Sequence, residues 1–435
     1  MSLTARMLPR RAYRWNFTVM GLDLSLFVLA LSFSSYYGVL PLFVHHLTSS
    51  NLALGLIPAV RSAGGLLPPI LVAGFTERLR RKKPFVLSGT VMERVPYLIL
   101  AIAAPLLAVS HPTLLLWLFF ALFGLANAFG GITLPAWLDL TARMLPDDWR
   151  GRFFGLSTAL GGLLGVAGSA GAAVLLQRAA WPTGFALCFA ATFGVLVVSF
   201  ICISLGREPA PAAEPRPASR GAASGPTGAA SWRRFPILLR DDHNFAFYLG
   251  AAALITAAGM ALSFYTIDAE RLFHLTDAGA GVYAVVLLAA STLGNLLWGY
   301  VGDHRGHKRV VEGGALCLGL AALYALVAHN AGWGAPGYVA VFALAGLGSS
   351  GIGLAAFTFP LDFAPAAQRP TYIGLTELAS APFAIGAPLL GGVIADHAGY
   401  GAVYILSAAL ALTGALIVLL AIVDPGMRTR DERAS

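Results

Sequence analysis

The stretch PTGFALCFAATFGVLVVSFICISL (Pro182–Leu205) contains no charged residue. A helix that crosses the hydrocarbon core of a bilayer needs about 20 consecutive apolar residues. The stretch has that length, and its side chains do not alternate as the ~10-residue strands of a membrane barrel would. It therefore predicts a membrane-spanning helix.

Runs of the same kind recur along all 435 residues, of which 57% are hydrophobic and only 11% charged. Soluble domains carry roughly 25% charged residues, so a chain this poor in charge must face a solvent other than water. In lipid the backbone must satisfy its own hydrogen bonds, which favours helices. We therefore predict an all-α, polytopic membrane protein with twelve spans, at 17–40, 52–75, 84–108, 113–140, 152–177, 182–205, 244–270, 277–302, 309–329, 336–361, 371–395 and 400–423.

A different composition follows the sixth span. The segment REPAPAAEPRPASRGAASGPTGAAS (residues 207–231) is rich in Pro, Ala, Gly and Ser and has no aromatic residue. Such a segment buries little and is typical of a flexible linker. We therefore predict four parts: a six-helix bundle at 1–205, a flexible cytoplasmic linker at 206–235, a second six-helix bundle at 236–425 and a tail at 426–435.

The basic residues predict the orientation in the membrane. Of the 29 Lys and Arg residues, 25 lie in the N-terminal arm, the tail and the loops on one side, while only Arg178 and Arg271 lie on the other. Loops rich in Lys and Arg stay on the cytoplasmic side. Both termini are therefore expected in the cytoplasm of a bacterial-type cell, with the protein in its inner membrane.

Two landmarks repeat in the same order in the two halves. The loop after span 2 reads AGFTERLRRKK (Ala73–Lys83), and the loop after span 8 reads GYVGDHRGHKR (Gly299–Arg309). The entry to span 5 reads RGRFFGL (Arg150–Leu156), and the entry to span 11 reads RPTYIGL (Arg369–Leu375). This order indicates that the halves arose by duplication, with pseudo-symmetric bundles as the result.

Twelve spans, a central linker and these loops resemble the major facilitator superfamily, whose loop pattern is roughly G-x-x-x-D-x-x-G-[RK]-[RK]. The small-residue segment GAPLLGG (Gly386–Gly392) in span 11 also resembles the family. The second loop matches the pattern at Gly299, Asp303, Gly306 and Lys308. The first loop departs from it at Ala73, Glu77 and Arg80 and keeps its charge at Arg81 and Lys82.

The resemblance implies a secondary transporter that moves a small organic solute by alternating access, coupled to protons and acting as a monomer in the lipid bilayer. An efflux antiporter for lipophilic drugs is the alternative within transport. A non-transporting sensor with the same body is the alternative from another class. A membrane enzyme is less favoured because no catalytic cluster is recognisable.

The resemblance also suggests a role for the two loops, which in the family lie against helices 11 and 5. The hypothesis is that Glu77 and Asp303 latch the cytoplasmic gate by meeting the positive end of a helix in the other half. The other interpretation is that the loops only set topology. The predicted gating residues are Glu77, Arg78, Arg81, Asp303, Gly306 and Lys308.

Charged residues inside the spans are candidate coupling or substrate groups, because ionisable side chains are costly in the membrane. Arg61 and Glu93 share a depth on consecutive helices, so they could form an ion pair that is purely structural. Asp23 is the first candidate for proton coupling, with snorkelling to the interface as the competing interpretation. The full set is Asp23, Arg61, Glu93, Arg94 and Glu377.

In the family, helices 1, 4, 7 and 10 line the transport pathway. Pockets usually combine aromatic walls with a few polar groups, although interfacial belts and helix packing produce the same residue types. The predicted cavity residues are Tyr36, Tyr37, Asn127, Trp137, Phe264 and Tyr265.

Several ligand sites are not supported by the sequence. The match GLGSSG (Gly346–Gly351) to a dinucleotide motif lies inside a span, without the required strand. None of the three lysines follows a glycine, so a P-loop is absent, and Cys188, Cys202 and Cys317 have no paired spacing. We therefore expect no metal, no cofactor, no nucleic acid partner and no enzymatic activity.

Overall fold

The computed structural model describes residues 9–209, 242–331, 334–364 and 368–424, and the segments between these ranges are outside the description. Most of the predicted linker and the predicted tail fall outside it, as do the side chains of Glu77 and Arg78. Thirteen α-helices are numbered in chain order: α1 (Arg10–Phe33), α2 (Val39–Leu47), α3 (Asn51–Arg78), α4 (Lys83–Leu107), α5 (Pro112–Met144), α6 (Arg150–Arg178), α7 (Thr183–Leu205), α8 (His243–Ala258), α9 (Tyr265–Phe273), α10 (Asp277–Arg305), α11 (His307–Ala331), α12 (Ala335–Phe363) and α13 (Arg369–Ala421).

Eleven segments of the described residues are long and apolar enough to cross a membrane. The last of them, Thr371–Ala421, has 51 residues, more than twice the ~20 that one crossing needs. Gly399 interrupts it with a φ of 78° and a ψ of 173°, values that an L-residue rarely adopts. The segment therefore contains two spans, and the predicted twelve-span, all-α fold is confirmed.

Two predicted spans are interrupted in the structure, and the second of them, 244–270, corresponds to the apolar segment His243–Phe273. The predicted span 17–40 begins earlier as α1, ends at Phe33 and continues after a turn as α2. The predicted span 244–270 is divided by a 3-10 helix, Gly259–Ser263, that separates α8 from α9. Small residues such as Gly259 and Ser263 sit at this break and tolerate the tighter turn.

The chain forms two compact units: the first comprises residues 1–48 and 60–218, and the second comprises 49–59 and 219–435. In the first unit, α1 packs against α6 and α7, and α4 packs against α5 and α7. Gly168 of α6 permits a close approach to α1, because a Cβ there would lie 2.8 Å from the carbonyl oxygen of Leu29. The small-residue run of span 5 therefore serves helix packing, as expected.

In the second unit, α13 packs against α8 and α11, and α12 packs against α10 and α11. Residues 49–59, which begin α3, belong to this unit. Asp396 accepts hydrogen bonds from the backbone N–H groups of Asn51 (2.8 Å) and Leu52 (3.2 Å). It thereby satisfies two of the N–H groups that a helix leaves open at its start.

Candidate functional site

A buried polar cluster in the first unit centres on Asp23 of α1, a residue that is 4% exposed. Ser199 of α7 donates to its Oδ1 at 2.6 Å, and Trp137 of α5 donates from Nε1 to its Oδ2 at 3.1 Å. A guanidinium nitrogen of Arg94 lies 3.9 Å from Oδ1. Three helices therefore fix this carboxylate in the interior of the unit, and it does not snorkel to the interface.

Arg94 of α4 is also buried, and the surrounding helices satisfy its guanidinium. It donates to the carbonyl oxygens of Leu196 and Thr90, both at 2.9 Å, and to the Ser199 hydroxyl at 3.1 Å. Ser199 therefore links Arg94 to Asp23. Three of the five N–H groups of Arg94 are therefore bonded within the unit, and its burial assigns it to balancing charge.

Glu93 completes the cluster from the neighbouring position on α4. Its Oε2 lies 3.6 Å from Arg94 Nη1, which is beyond hydrogen-bonding distance, and its side chain is 14% exposed. The carboxylate packs against Gly130 of α5, where an added Cβ would lie 3.0 Å from Oε1. Two carboxylates thus share one guanidinium, so the cluster carries one negative charge when both acids are ionised.

Arg61 of α3 takes a different environment from the one considered in the sequence. Its guanidinium carbon lies 4.0 Å from the centroid of the Tyr36 ring, and its side chain is exposed. Glu93 pairs with Arg94, so the suggested ion pair between Arg61 and Glu93 is not formed. Tyr36 and Tyr37 are partly buried, with ring centroids 4.3 Å apart.

The remaining candidates have other surroundings. Asn127 is partly buried on α5 and donates to the Phe123 carbonyl oxygen at 2.7 Å. Glu377 of α13 is partly buried, within electrostatic range of Tyr248. Phe264 and Tyr265 are 0% and 2% exposed, so both pack inside the second unit and present almost no surface to a ligand in this structure.

The first basic loop is anchored inside its own unit. The ammonium group of Lys83 donates to the carbonyl oxygens of Ser204 and Gly206 at the end of α7, at 2.5 Å and 2.9 Å. Lys82 is buried, with its ammonium group 3.1 Å from Asp139. Cations stabilise the negative C-terminal end of a helix, so Lys83 ties the start of α4 to the end of α7, while Lys82 pairs with α5. Arg81 is exposed.

The second loop repeats this anchoring in the second unit. Lys308 donates to the carbonyl oxygens of Leu419 and Ile422 at the end of α13, at 3.2 Å and 2.8 Å. Gly306 ends α10 with a φ of 89°, a conformation that favours glycine. Asp303 is exposed. The latch that we expect from Asp303 and Glu77 stays a prediction.

Sequence reasoning missed several polar residues that the fold brings together. Ser199 is one of four hydroxyl residues in the apolar run 182–205, and nothing in the sequence distinguishes it from Thr183, Thr192 and Ser204. Asp268 of α9 has partners on three other helices: the Tyr404 and Tyr338 hydroxyls at 2.8 Å and 2.9 Å, and His329 Nδ1 at 3.1 Å. Its partners are 61 to 136 positions away along the chain, so no local pattern could reveal them.

Comparison of the fold with solved structures found transporters with the same architecture. A mutant of the nucleoside transporter NupG superposes with a TM-score of 0.71 at 12% identity, covering 94% of this chain and 99% of that one. The POT family transporter PepTSo gives 0.67 at 13% identity, covering 95% and 98%. The transporter FucP, in the outward conformation, gives 0.59 at 15% identity, covering 94% and 99%. These identities show the fold alone.

Sequence comparison identifies the family. A search of curated proteins found no match. The family model described as Major Facilitator Superfamily matches residues 22–268 and, separately, residues 245–435. The two matches together cover nearly the whole chain and confirm the resemblance seen in the loops. The chain therefore belongs to the Major Facilitator Superfamily and is a multi-pass membrane protein with the fold of its transporters.

Proposed function

We propose that this protein is a proton-coupled secondary transporter that moves a small organic solute by alternating access. The observation that carries the proposal is the cluster of Asp23, Arg94 and Glu93, in which two carboxylates share one guanidinium. An uncompensated charge in a protein interior is costly, so the cluster is best balanced when one carboxyl holds a proton. Binding and release of that proton changes the charge of the cluster by one, as coupling requires.

The same proposal includes the setting of the protein. We place it in a cell inner membrane as a monomer, with both termini in the cytoplasm, because 25 of its 29 basic residues lie on one side of the predicted spans. The bilayer and a small-molecule substrate are its partners. Asp303 and Glu77 are proposed to stabilise the outward-open state from the cytoplasmic loops.

Proton coupling can be tested without knowing the substrate in advance. The purified protein is reconstituted in liposomes that contain the pH dye pyranine, and carboxylates, sugars, nucleosides and dipeptides are added outside one at a time. A co-transported solute acidifies the lumen, and its uptake is faster when the outside is more acidic. If no solute in a broad panel moves protons, and transported solutes ignore the pH gradient, proton coupling is wrong.

The first prediction concerns Asp23→Asn in this assay. Because the amide cannot bind a proton yet keeps most of the shape, we expect pH-driven uptake to fall to background while exchange of labelled for unlabelled solute continues. Asp148→Asn is the matched control, since Asp148 is an exposed carboxylate in the turn before α6. Uptake by Asp23→Asn that still follows the pH gradient would exclude Asp23 from coupling.

A further inference from the structure

Two arginines lie within the spans of the first unit, and they differ in what surrounds them. Arg94 is buried, donates three hydrogen bonds and balances two carboxylates. Arg61 is exposed, and within the described residues no carboxylate lies within 4.0 Å of its nitrogens. Its guanidinium carbon lies 4.0 Å from the centroid of the Tyr36 ring. Among the described residues, Arg61 therefore has its N–H donors available for a ligand.

The position of Arg61 along α3 indicates where such a ligand would bind. The residue lies ten positions into α3, about 15 Å along the helix axis at the usual rise. A charged side chain at such a depth faces the bundle interior or a water-filled cavity, because contact with lipid is too costly. Tyr97 of α4 is within electrostatic range of both Arg61 and Glu93, which places Arg61 on the side of the polar cluster.

The surroundings of Arg61 leave room for a ligand. Gly65 lies one helical turn further on the same face, and a Cβ built there meets nothing within 4 Å. Tyr36 and Tyr37 supply a partly buried aromatic surface beside the guanidinium. An aromatic wall, open space and a single placed charge are the usual elements of a small-molecule site.

We propose that Arg61 binds the carboxylate of a small organic monoanion, which is the substrate class of this transporter. A guanidinium presents its N–H groups in a fork that matches the two oxygens of a carboxylate. One negative charge on the ligand balances Arg61. A dianion would bring a second negative charge that Arg61 alone does not balance. This inference rests on the proposed transport function and specifies its substrate.

The alternative is that Arg61 only stabilises the fold through its contact with Tyr36. Such a contact between a cation and an aromatic ring is worth about 0.5–2 kcal/mol. A merely structural role affects stability without ligand and does not depend on the charge of any added compound. Ligand-dependent melting therefore separates the two roles.

The test measures the melting temperature of the purified full-length protein with matched pairs of an acid and its primary amide: benzoate with benzamide, lactate with lactamide, and N-acetylalanine with its amide. Inorganic phosphate and uridine are the probes without a carboxylate. We expect at least one carboxylate to raise the melting temperature and its amide to leave it unchanged, because ligand binding stabilises the native state. The inference is overturned if no carboxylate stabilises, if acid and amide act equally, or if only phosphate or uridine acts.

The variants test the residue itself. In Arg61→Gln the affinity for the stabilising carboxylate should fall by roughly tenfold to a hundredfold, the loss expected for charge-assisted hydrogen bonds. Arg61→Lys should recover part of it, and melting without ligand shows whether each variant is folded. Arg178→Gln, which removes an exposed arginine at the end of α6, should bind as the natural protein does. Unchanged affinity in Arg61→Gln would overturn the site.

The two proposals fail in different ways. If a neutral solute stabilises the protein and carries protons into pyranine-loaded liposomes, the anion site is wrong and proton-coupled transport stands. If a carboxylate binds through Arg61 but moves without protons, the site stands and proton coupling is wrong.

Discussion

Among the residues that the structure describes, each unit buries one aspartate, and the two carboxylates are stabilised in different ways. Asp23 in the first unit is 4% exposed and Asp268 in the second is 1% exposed. Asp23 has Arg94, a permanent cation, within 3.9 Å, together with Ser199 and Trp137. Asp268 has two tyrosine hydroxyls and a histidine nitrogen, all between 2.8 Å and 3.1 Å.

The difference separates a site whose charge balance changes from a site that holds helices together. At Asp23 a second carboxylate, Glu93, competes for the same guanidinium, so proton binding alters the balance. At Asp268 the tyrosine donors are neutral and tie α9 to α12 and α13, and His329 adds α11. Since α9 follows the break at Gly259–Ser263, this network fixes the second part of a discontinuous span.

The largest effect on stability is expected from Arg94→Met. Removal of the cation leaves Asp23 and Glu93 buried without a counter-charge, which should lower the free energy of unfolding by roughly 3–5 kcal/mol. Unfolding in mixed micelles with increasing SDS measures this. The double variant with Asp23→Asn should regain part of the loss. If the second substitution restores nothing, the pairing of Arg94 with Asp23 is not what stabilises the unit.

A smaller effect is expected from Asp268→Asn. The amide keeps one acceptor oxygen but directs an NH₂ group at a donor, so one buried hydrogen bond is lost at a cost of about 1–3 kcal/mol. The same SDS titration measures the change, and solute exchange in liposomes should persist at the natural rate per folded molecule. If Asp268→Asn loses proton coupling without losing stability, Asp268 acts in coupling as Asp23 is proposed to do, and the two sites do not differ in role.

The smallest effects come from removing one neutral donor at each site. Net hydrogen bonds contribute about 0.5–1.5 kcal/mol, and Tyr404→Phe should lie near the upper end because Asp268 has no permanent cation. Trp137→Phe should lie near the lower end because Ser199 and Arg94 still hold Asp23. Melting temperatures of the two variants, measured side by side, check the order. A larger loss of stability in Trp137→Phe than in Tyr404→Phe would contradict the structural role assigned to the Asp268 site.

Two parts of the site show how far prediction from sequence extends. The sequence alone identifies Asp23, Glu93 and Arg94 as candidates, because they are charged residues within apolar runs. A charge is costly in lipid, so its position inside a span indicates a functional role. Trp137, which is predicted to line the cavity, donates a hydrogen bond to Asp23 that the sequence did not indicate. The suggested pairing of Arg61 with Glu93 rested on equal depth, but depth does not specify which face of a helix a residue occupies.

The sequence by itself determined the number of spans and the family, because the thickness of the hydrocarbon core sets the length of every apolar run that crosses the bilayer. Tertiary structure alone decided that Arg94 is enclosed while Arg61 is left open, and that Asp268 finds two tyrosines and a histidine. It also decided where spans 1 and 7 break. These outcomes depend on how each helix is rotated about its own axis, because that rotation decides which side chains face the neighbouring helices. Only the packing of helices that are far apart in the chain specifies it.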